Sequence, residues 1–385
     1  MPLPDYAGGS IVNLMSSIEG ALGNISPLYQ PLRDLPPSAL GTGNVVLLVI
    51  DGLGHDYLTQ AQPASCLRQH LRSAITSVFP STTATAITTF LTGLAPQQHG
   101  LTGWHMYFKE LGSVAAVLPF RARHGGPSLT QSGVVPAALF GHGSLFDRLA
   151  VPSCIVAPQR IVHSDFNLAH SGRARRMGYA TLAQFFGKIG EALADGAGRK
   201  YVYAYYPALD GLAHEYGIAS PQVAAHFAAL DAAFGEFLHG VRGSGSTVVV
   251  TADHGFIDTA PDALIELERH PALAETLVLP LCGERRVAYC YVHPHKREQF
   301  ERYVQDELAG CAALFESAQL MAQGYFGPGV PHPRLCERIG HYTLVMKKNF
   351  TIKDWLPSER RHTQIGVHGG VSVQEVMVPL VVAQT

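Results

Sequence analysis

Four short pieces of this chain carry residue types able to hold divalent cations. Asp51 follows an apolar run and precedes Gly52, Asp210 and His214 stand four apart, Asp253 and His254 are adjacent, and His368 lies within Gly366-Val-His-Gly-Gly370. Two cations held close together need about six or seven oxygen and imidazole donors, and these six side chains are such a set. An Asp and a His four apart share one face if their segment is helical, and glycines around His368 let the backbone turn sharply beside a ligand. Each piece alone is weak evidence, because Asp-Gly after a strand is ordinarily a turn and a lone Asp-x-x-x-His is ordinarily a surface pair or a cap. Their joint placement at strand exits is the signal.

A fifth piece offers a nucleophile. In Phe79-Pro-Ser-Thr-Thr-Ala-Thr-Ala-Ile-Thr-Thr-Phe-Leu-Thr-Gly93 a Pro-Ser turn opens a threonine-rich helix. A hydroxyl on the first turn of a helix sees free backbone N–H groups and the positive end of the dipole, which favour an alkoxide and a bound phosphate. Thr82 and Thr83 both stand there, and either could instead only cap the helix.

Such side chains need elements that collect them. Asn44-Val-Val-Leu-Leu-Val-Ile50 is continuously apolar and β-branched, the pattern of a strand buried on both faces, and it runs into Asp51. Tyr201 to Tyr206 leads likewise toward Asp210, and Ser246 to Thr251 toward Asp253. Helical patterns lie between them, at Thr83 to Leu91, Leu182 to Leu193 and Pro221 to Leu238, while Ser10 opens an amphipathic lead-in helix that a Pro-rich stretch ends. This alternation predicts a mostly parallel α/β sheet, which binds ligands beyond the carboxyl ends of its strands. Two stretches break it. From Trp104 to about Gly143 there are short strand-like runs such as Val114 to Leu118; from 257 to 355 a strand (Arg286 to Val292), a charged helix (Lys296 to Leu308) and a further strand (Tyr342 to Met346) predict an inserted α+β cap.

The chain has 385 residues, 47% hydrophobic and 15% charged, enough for a sizeable core and one large domain with an insertion. A net charge of −2 without a long basic run argues against a nucleic-acid footprint and for a small substrate. No basic segment followed by a continuous apolar stretch opens the chain, and no eighteen-residue apolar run follows, so the expectation is a cytoplasmic protein without a membrane span. Six scattered cysteines, with no Cys-x-x-Cys, read as buried free thiols. Cys282 and Cys290 flank the expected turn Gly283-Glu284-Arg285, yet a bond between them is not expected in that compartment. His55 and His99 read as structural, and His362 as a support for the metal ligands. Arg173, Arg175 and Arg176 read as a solvated face rather than an anion clamp, and Tyr201, Tyr203 and Tyr205 as packing against helices.

Taken in order, VVLLVIDGLG, FPSTTATAITTFLTGLAPQQHGL, YPALDGLAHEYG, TADHGF and GVHGGVSVQEVMVPL, from Val45 to Leu380, resemble the type I phosphodiesterase and nucleotide pyrophosphatase family of the alkaline phosphatase superfamily. The resemblance implies an alkaline-phosphatase-like three-layer sandwich with a mostly parallel central sheet and a smaller α+β cap. Residues 1–43 would be the lead-in, 44–256 and 356–385 the catalytic core, and 257–355 the cap. It also implies that Asp51, Asp253 and His254 hold the metal that activates the nucleophile, and that Asp210, His214 and His368 hold its partner. Counted back nine residues from Thr92, Thr83 falls at the family's nucleophile, where it also meets the metal. Zinc suits the mixed ligand set, with manganese as a substitute.

The expected reaction is hydrolysis of a phosphodiester or nucleotide pyrophosphate through a phospho-threonine. The competing readings are a phosphomonoesterase, phosphonate hydrolase or mutase on the same site, and an inactive binding or regulatory module. A sulfatase is disfavoured, because the Cys-x-Pro-x-Arg segment is absent. One departure stands out: where many nucleotide pyrophosphatases have a phosphate-contacting Asn, five residues after the His of the His-Gly turn, this chain has Trp104, followed by His105. That contact is left unassigned.

Overall fold

The strands Val45–Ile50, Tyr201–Tyr206 and Thr247–Thr251 are buried along their whole length, so both faces of the sheet they form must be covered. In the computed structural model, which describes residues 3–23, 27–357 and 359–385, they are the middle of a seven-stranded sheet. Residues 1, 2 and 24–26 of the expected lead-in, and Ser358 of the expected core, lie outside the described residues. The strand order is Leu71–Thr76, Met377–Gln384, Thr247–Thr251, Val45–Ile50, Tyr201–Tyr206, Ser153–Pro158, Arg175–Tyr179. Met377–Gln384 runs antiparallel to both strands beside it, and the other adjacent pairs are parallel. The helix Ile11–Leu22 packs on Thr83–Thr92 in one group, and Leu182–Ala194 on Pro221–Gly240 in another. No helix among the described residues is long and apolar enough to cross a membrane.

Register decides where the polar strand ends fall. Ile50 pairs with Tyr206 and Val49 with Thr251, so the segments that follow the three central strands leave the sheet side by side. Asp51 and Asp253 are thereby neighbours, and the Gly52 amide donates to Asp253 Oδ1 at 3.1 Å. The short helix Ala208–Tyr216, which starts at the same edge, carries Asp210 and His214 on one face.

A second seven-stranded sheet stands beside the first, entirely antiparallel between neighbours: Ala312–Glu316, Tyr342–Met346, Val287–Cys290, Cys282–Gly283, His105–Phe108, Ser113–Ala116, Arg121–Ala122. It draws on more of the chain than 257–355, because the strand-like runs after Trp104 join it through Gly283 opposite His105. Phe300 and Val304 of the helix Arg297–Glu307 pack into its core. All six cysteines are free; Cys154, Cys282 and Cys290 are buried, whereas Cys336 is exposed.

The two sheets are tied by one buried ion pair. Arg286 Nε and Nη2 donate to Glu375 Oε1 and Oε2 at 3.0 and 2.8 Å, and both side chains are at most 1% exposed. Glu375 in turn accepts from the Gly370 amide at 2.8 Å and from Ser372 Oγ at 2.8 Å, so the pair also holds the turn that follows His368. Removing one member of such a pair strands the other charge in the interior. Arg286→Met is therefore expected to lower the unfolding free energy by about 3–5 kcal/mol, read from denaturant midpoints, with Arg286→Met/Glu375→Leu recovering much of the loss.

Candidate metal centre and active site

Each of the three histidines expected at the site presents the same nitrogen to it. His254 Nδ1 lies 3.1 Å from the Gly255 carbonyl, His214 Nδ1 lies 2.9 Å from the Gly366 carbonyl, and His368 Nδ1 lies 3.4 Å from the Ser81 carbonyl. A carbonyl can only accept, so Nδ1 carries the proton in all three and Nε2 turns inward with a free lone pair. His254 Nε2 is 3.3 Å from Asp51 Oδ1 and 3.4 Å from Asp253 Oδ2. His214 Nε2 is 3.3 Å from Asp210 Oδ1, and His368 Nε2 is 3.8 Å from the same oxygen. The structure thus brings all six Asp and His side chains together.

Five of them form two overlapping donor groups, Asp51 with Asp253 and His254, and Asp210 with His254 and His368, each with its donor atoms within 4.8 Å of one another, while His214 stands outside both groups and touches the second through Asp210. His254 therefore reaches both groups rather than one, stacked on His368 with ring centroids 3.6 Å apart. The chemistry of the set fits divalent cations. Asp51 Oδ1, Asp210 Oδ1 and Asp253 Oδ2 are buried atoms with no hydrogen-bond partner, and three carboxylates facing one another without a counter-charge are costly. Burial, then the charge of Asp210, pushes Asp51 well above the usual carboxylate range; burial, then the charge of Asp51, does the same to Asp253. Burial also raises Asp210 to about 7 and lowers His214 to about 4. Cations between these groups would reverse that penalty.

Thr83 is the first residue of the helix Thr83–Thr92, and its Oγ1 lies 3.1 Å from His254 Nε2, facing both donor groups. Thr82 is the cap residue by position, yet its hydroxyl makes no capping bond and donates instead to Glu284 Oε1 at 2.6 Å. Of the two candidate hydroxyls, only that of Thr83 meets the Asp and His donor groups, through His254. Close backbone approach explains the glycine beside His368: a Cβ on Gly366 would stand 2.3 Å from the Ala213 carbonyl oxygen in the helix that carries Asp210 and His214.

A cavity of about 500 Å³ opens over Thr83, Asp210, His214 and His368. Its far wall comes from the second sheet and the segment after it, including Trp104, His105, Glu284, Arg285 and Trp355. His362 reaches this wall, where its Nε2 lies 3.1 Å from Arg285 Nη2 and no contact with the donor groups is made. Arg173 is spent on the Phe146 and Leu149 carbonyls and Arg175 on Asp195 and Glu191, away from the cavity. His99 is fully buried against Thr89 and the Leu101 amide, a structural position.

Two residues of the site escaped the sequence reading. Tyr205, expected to pack against helices with Tyr201 and Tyr203, donates its hydroxyl to Asp51 Oδ2. No pattern in the string marks this contact, because it depends on the register that pairs Tyr205 with Val49, two residues before Asp51. Glu284, read as part of a turn, enters the cavity and accepts from Thr82 Oγ1 at 2.6 Å and from the Trp104 amide at 2.7 Å. Burial pushes its carboxyl up to about 7. Partners that orient a metal ligand typically change affinity by 10–100-fold. Tyr205→Phe is accordingly expected to weaken zinc binding by about tenfold or more in competition with a chelating dye, without moving the denaturant midpoint by a comparable amount.

Comparison with known proteins agrees with this geometry. The family model described as type I phosphodiesterase / nucleotide pyrophosphatase matches residues 45–370. No curated protein matches the chain at a significant level. Among solved structures, an inactive form of murine ectonucleotide pyrophosphatase / phosphodiesterase 5 in complex with AMP is 17% identical, with 88% of this chain and 87% of that one covered and a TM-score of 0.67. The human ectonucleotide pyrophosphatase / phosphodiesterase 5 gives 16%, 88%, 87% and 0.67. Phosphonoacetate hydrolase from Sinorhizobium meliloti 1021, in complex with phosphonoacetate, gives 18%, 89%, 90% and 0.62. At these identities the likeness is one of fold, and the fold is the alkaline-phosphatase-like α/β architecture with its mostly parallel sheet. Because the family model spans most of the chain, from the strand before Asp51 to the turn after His368, this protein belongs to the type I phosphodiesterase / nucleotide pyrophosphatase family.

Proposed function

We propose that the protein hydrolyses phosphodiester or nucleotide pyrophosphate bonds through a covalent phospho-threonine on Thr83, with two divalent cations, zinc foremost and manganese as a substitute, held by Asp51, Asp253 and His254 and by Asp210, His214 and His368. The observation that carries this reading is the position of Thr83 Oγ1, 3.1 Å from His254 Nε2 and facing three carboxylates whose inner oxygens have no partner. The bound cations would supply Lewis acidity, lowering the pKa of the threonine hydroxyl and offsetting charge on the departing oxygen, as a metal brings bound water from about 15.7 to about 7.

The chain's own residues account for the remainder. Thr83 Oγ1 gives up its proton and attacks phosphorus; the bond to the leaving oxygen breaks, and that oxygen departs with the bonding pair and takes a proton. Water then attacks the phospho-threonine in a second displacement, Oγ1 leaves with its electron pair and is reprotonated, and configuration at phosphorus is retained over the two steps. The first turn of the helix Thr83–Thr92 presents free backbone N–H groups to the phosphoryl oxygens. Nδ1 of each of the three histidines stays bonded to a carbonyl throughout, which fixes the tautomer and keeps Nε2 turned toward the site.

A cavity of about 500 Å³ suits a substrate of mononucleotide size and not a polymer. The AMP bound in the murine structure supports the same substrate class. Thr83→Ala is expected to keep two zinc ions per chain by elemental analysis and to lose turnover of a chromogenic phosphodiester by roughly 10³-fold or more. Full activity in that variant would mean direct attack by water. Asp253→Asn is expected to retain fewer than two ions, and acid quenching of the wild type in mid-turnover should leave a phosphorylated peptide containing Thr83.

A further inference from the structure

We propose that Glu284 is the residue that selects a phosphorus centre bearing one negative charge, as in phosphodiesters, over the dianionic group of a phosphomonoester. The inference rests on the hydrolytic reading above and adds the substrate class within it. Glu284 sits at the tip of the hairpin between Cys282–Gly283 and Val287–Cys290, and this tip projects from the second sheet into the cavity that Thr83, Asp210 and His368 line. Its carboxylate is held from two sides, because Oε1 accepts both the Thr82 hydroxyl at 2.6 Å and the Trp104 amide at 2.7 Å. Oε2 has no hydrogen-bond partner among the described residues.

The side chain also has the backbone of a neighbouring turn against it. It packs on the turn after His368, where a Cβ added to Gly369 would lie 3.0 Å from Glu284 Cβ. Nor, among the described residues, does a cation pair with it at contact: the neighbouring Arg285 points Nη2 to His362 Nε2 at 3.1 Å and sets its guanidinium 5.4 Å from the centre of the Trp355 ring. A carboxylate held by the hydroxyl of Thr82, the residue before the nucleophile, therefore lines the same cavity as Thr83. Like charges at short range in a partly desolvated cleft repel far more than in water. A diester places a single charge in that field, whereas a monoester places a second one there.

The second bond to the carboxylate comes from the backbone N–H of Trp104 and so does not depend on the side chain at that position. Acceptor and repeller are thus joined in one group, which is how discrimination against a wrong partner is ordinarily built.

Glu284→Gln tests it. The amide keeps an acceptor oxygen for Thr82 and Trp104 and removes only the charge, and Glu284→Ala serves as a second variant should Gln reorient. Zinc-loaded wild type and variants are assayed at mildly alkaline pH with bis-p-nitrophenyl phosphate and p-nitrophenyl phosphate, which share a leaving group. The monoester-to-diester ratio of kcat/KM is expected to rise by about tenfold or more in both variants. In a second arm, inorganic phosphate is titrated calorimetrically into zinc-loaded Thr83→Ala and Thr83→Ala/Glu284→Gln, with tighter binding by a similar factor expected in the latter. An unchanged ratio together with unchanged phosphate affinity overturns the assignment. Absence of turnover of either ester by the wild type would instead defeat the hydrolytic reading, while the phosphate arm would still decide the role of Glu284.

Discussion

Mutual repulsion among Asp51, Asp210 and Asp253 is the constraint around which the rest of the molecule is arranged. Three carboxylates turned toward one another in a buried rim are unfavourable in the absence of cations, and the inner oxygen of each is left without a donor. A fold spends stability in this way where the excess negative charge has a use, and divalent cations are the counter-charge that suits oxygen and imidazole donors at this spacing. The neighbouring groups sharpen the arrangement. The Tyr205 hydroxyl and the Gly52 amide take up the outer oxygens of Asp51 and Asp253, and backbone carbonyls fix the three imidazoles so that only Nε2 faces inward.

A parallel sheet is the economical way to hold such a cluster. The strand ends converge at one edge, adjacent strands are about 4.8 Å apart, and each exit loop is set by a register that burial on both faces does not allow to slip. The aligned ends at Ile50, Tyr206 and Thr251 are that register in this chain. The helix Thr83–Thr92 then adds a hydroxyl at its first turn, so one edge holds both the Asp and His cluster and a hydroxyl turned toward it.

The second sheet completes the site and does not merely cover it. Within one hairpin, Glu284 turns into the cavity beside Thr82, Arg285 joins the far wall, and Arg286 turns into the interior to grip Glu375. Because Glu375 also holds the Gly370 amide, the position of the turn carrying His368 depends on the second sheet being in place. Three consecutive residues thus reach both the cavity and the turn that carries His368.

Much of this was legible in the residue string, and for a local reason. Continuous β-branched runs ending in Asp, a Pro-Ser turn opening a threonine-rich helix, and Gly-x-His-Gly-Gly are short patterns whose conformations follow from propensity and sterics, so the central strands and the helix starts could be read directly, while the family was legible through the resemblance of the ordered motifs. What the string could not supply is everything that depends on which distant segments meet. The recruitment of 105–122 into the same sheet as 282–346, the reach of His254 across both donor groups, the Tyr205 hydroxyl on Asp51 and the entry of Glu284 beside Thr82 all arise from contacts between residues far apart in sequence. A turn containing Glu reads the same whether it ends in solvent or in a cavity, and a strand tyrosine reads the same whether its hydroxyl is idle or bonded. Only the packing of one sheet against the other makes that choice, because the energy of a buried charge or hydroxyl is set by its partners in space and not by its neighbours along the chain.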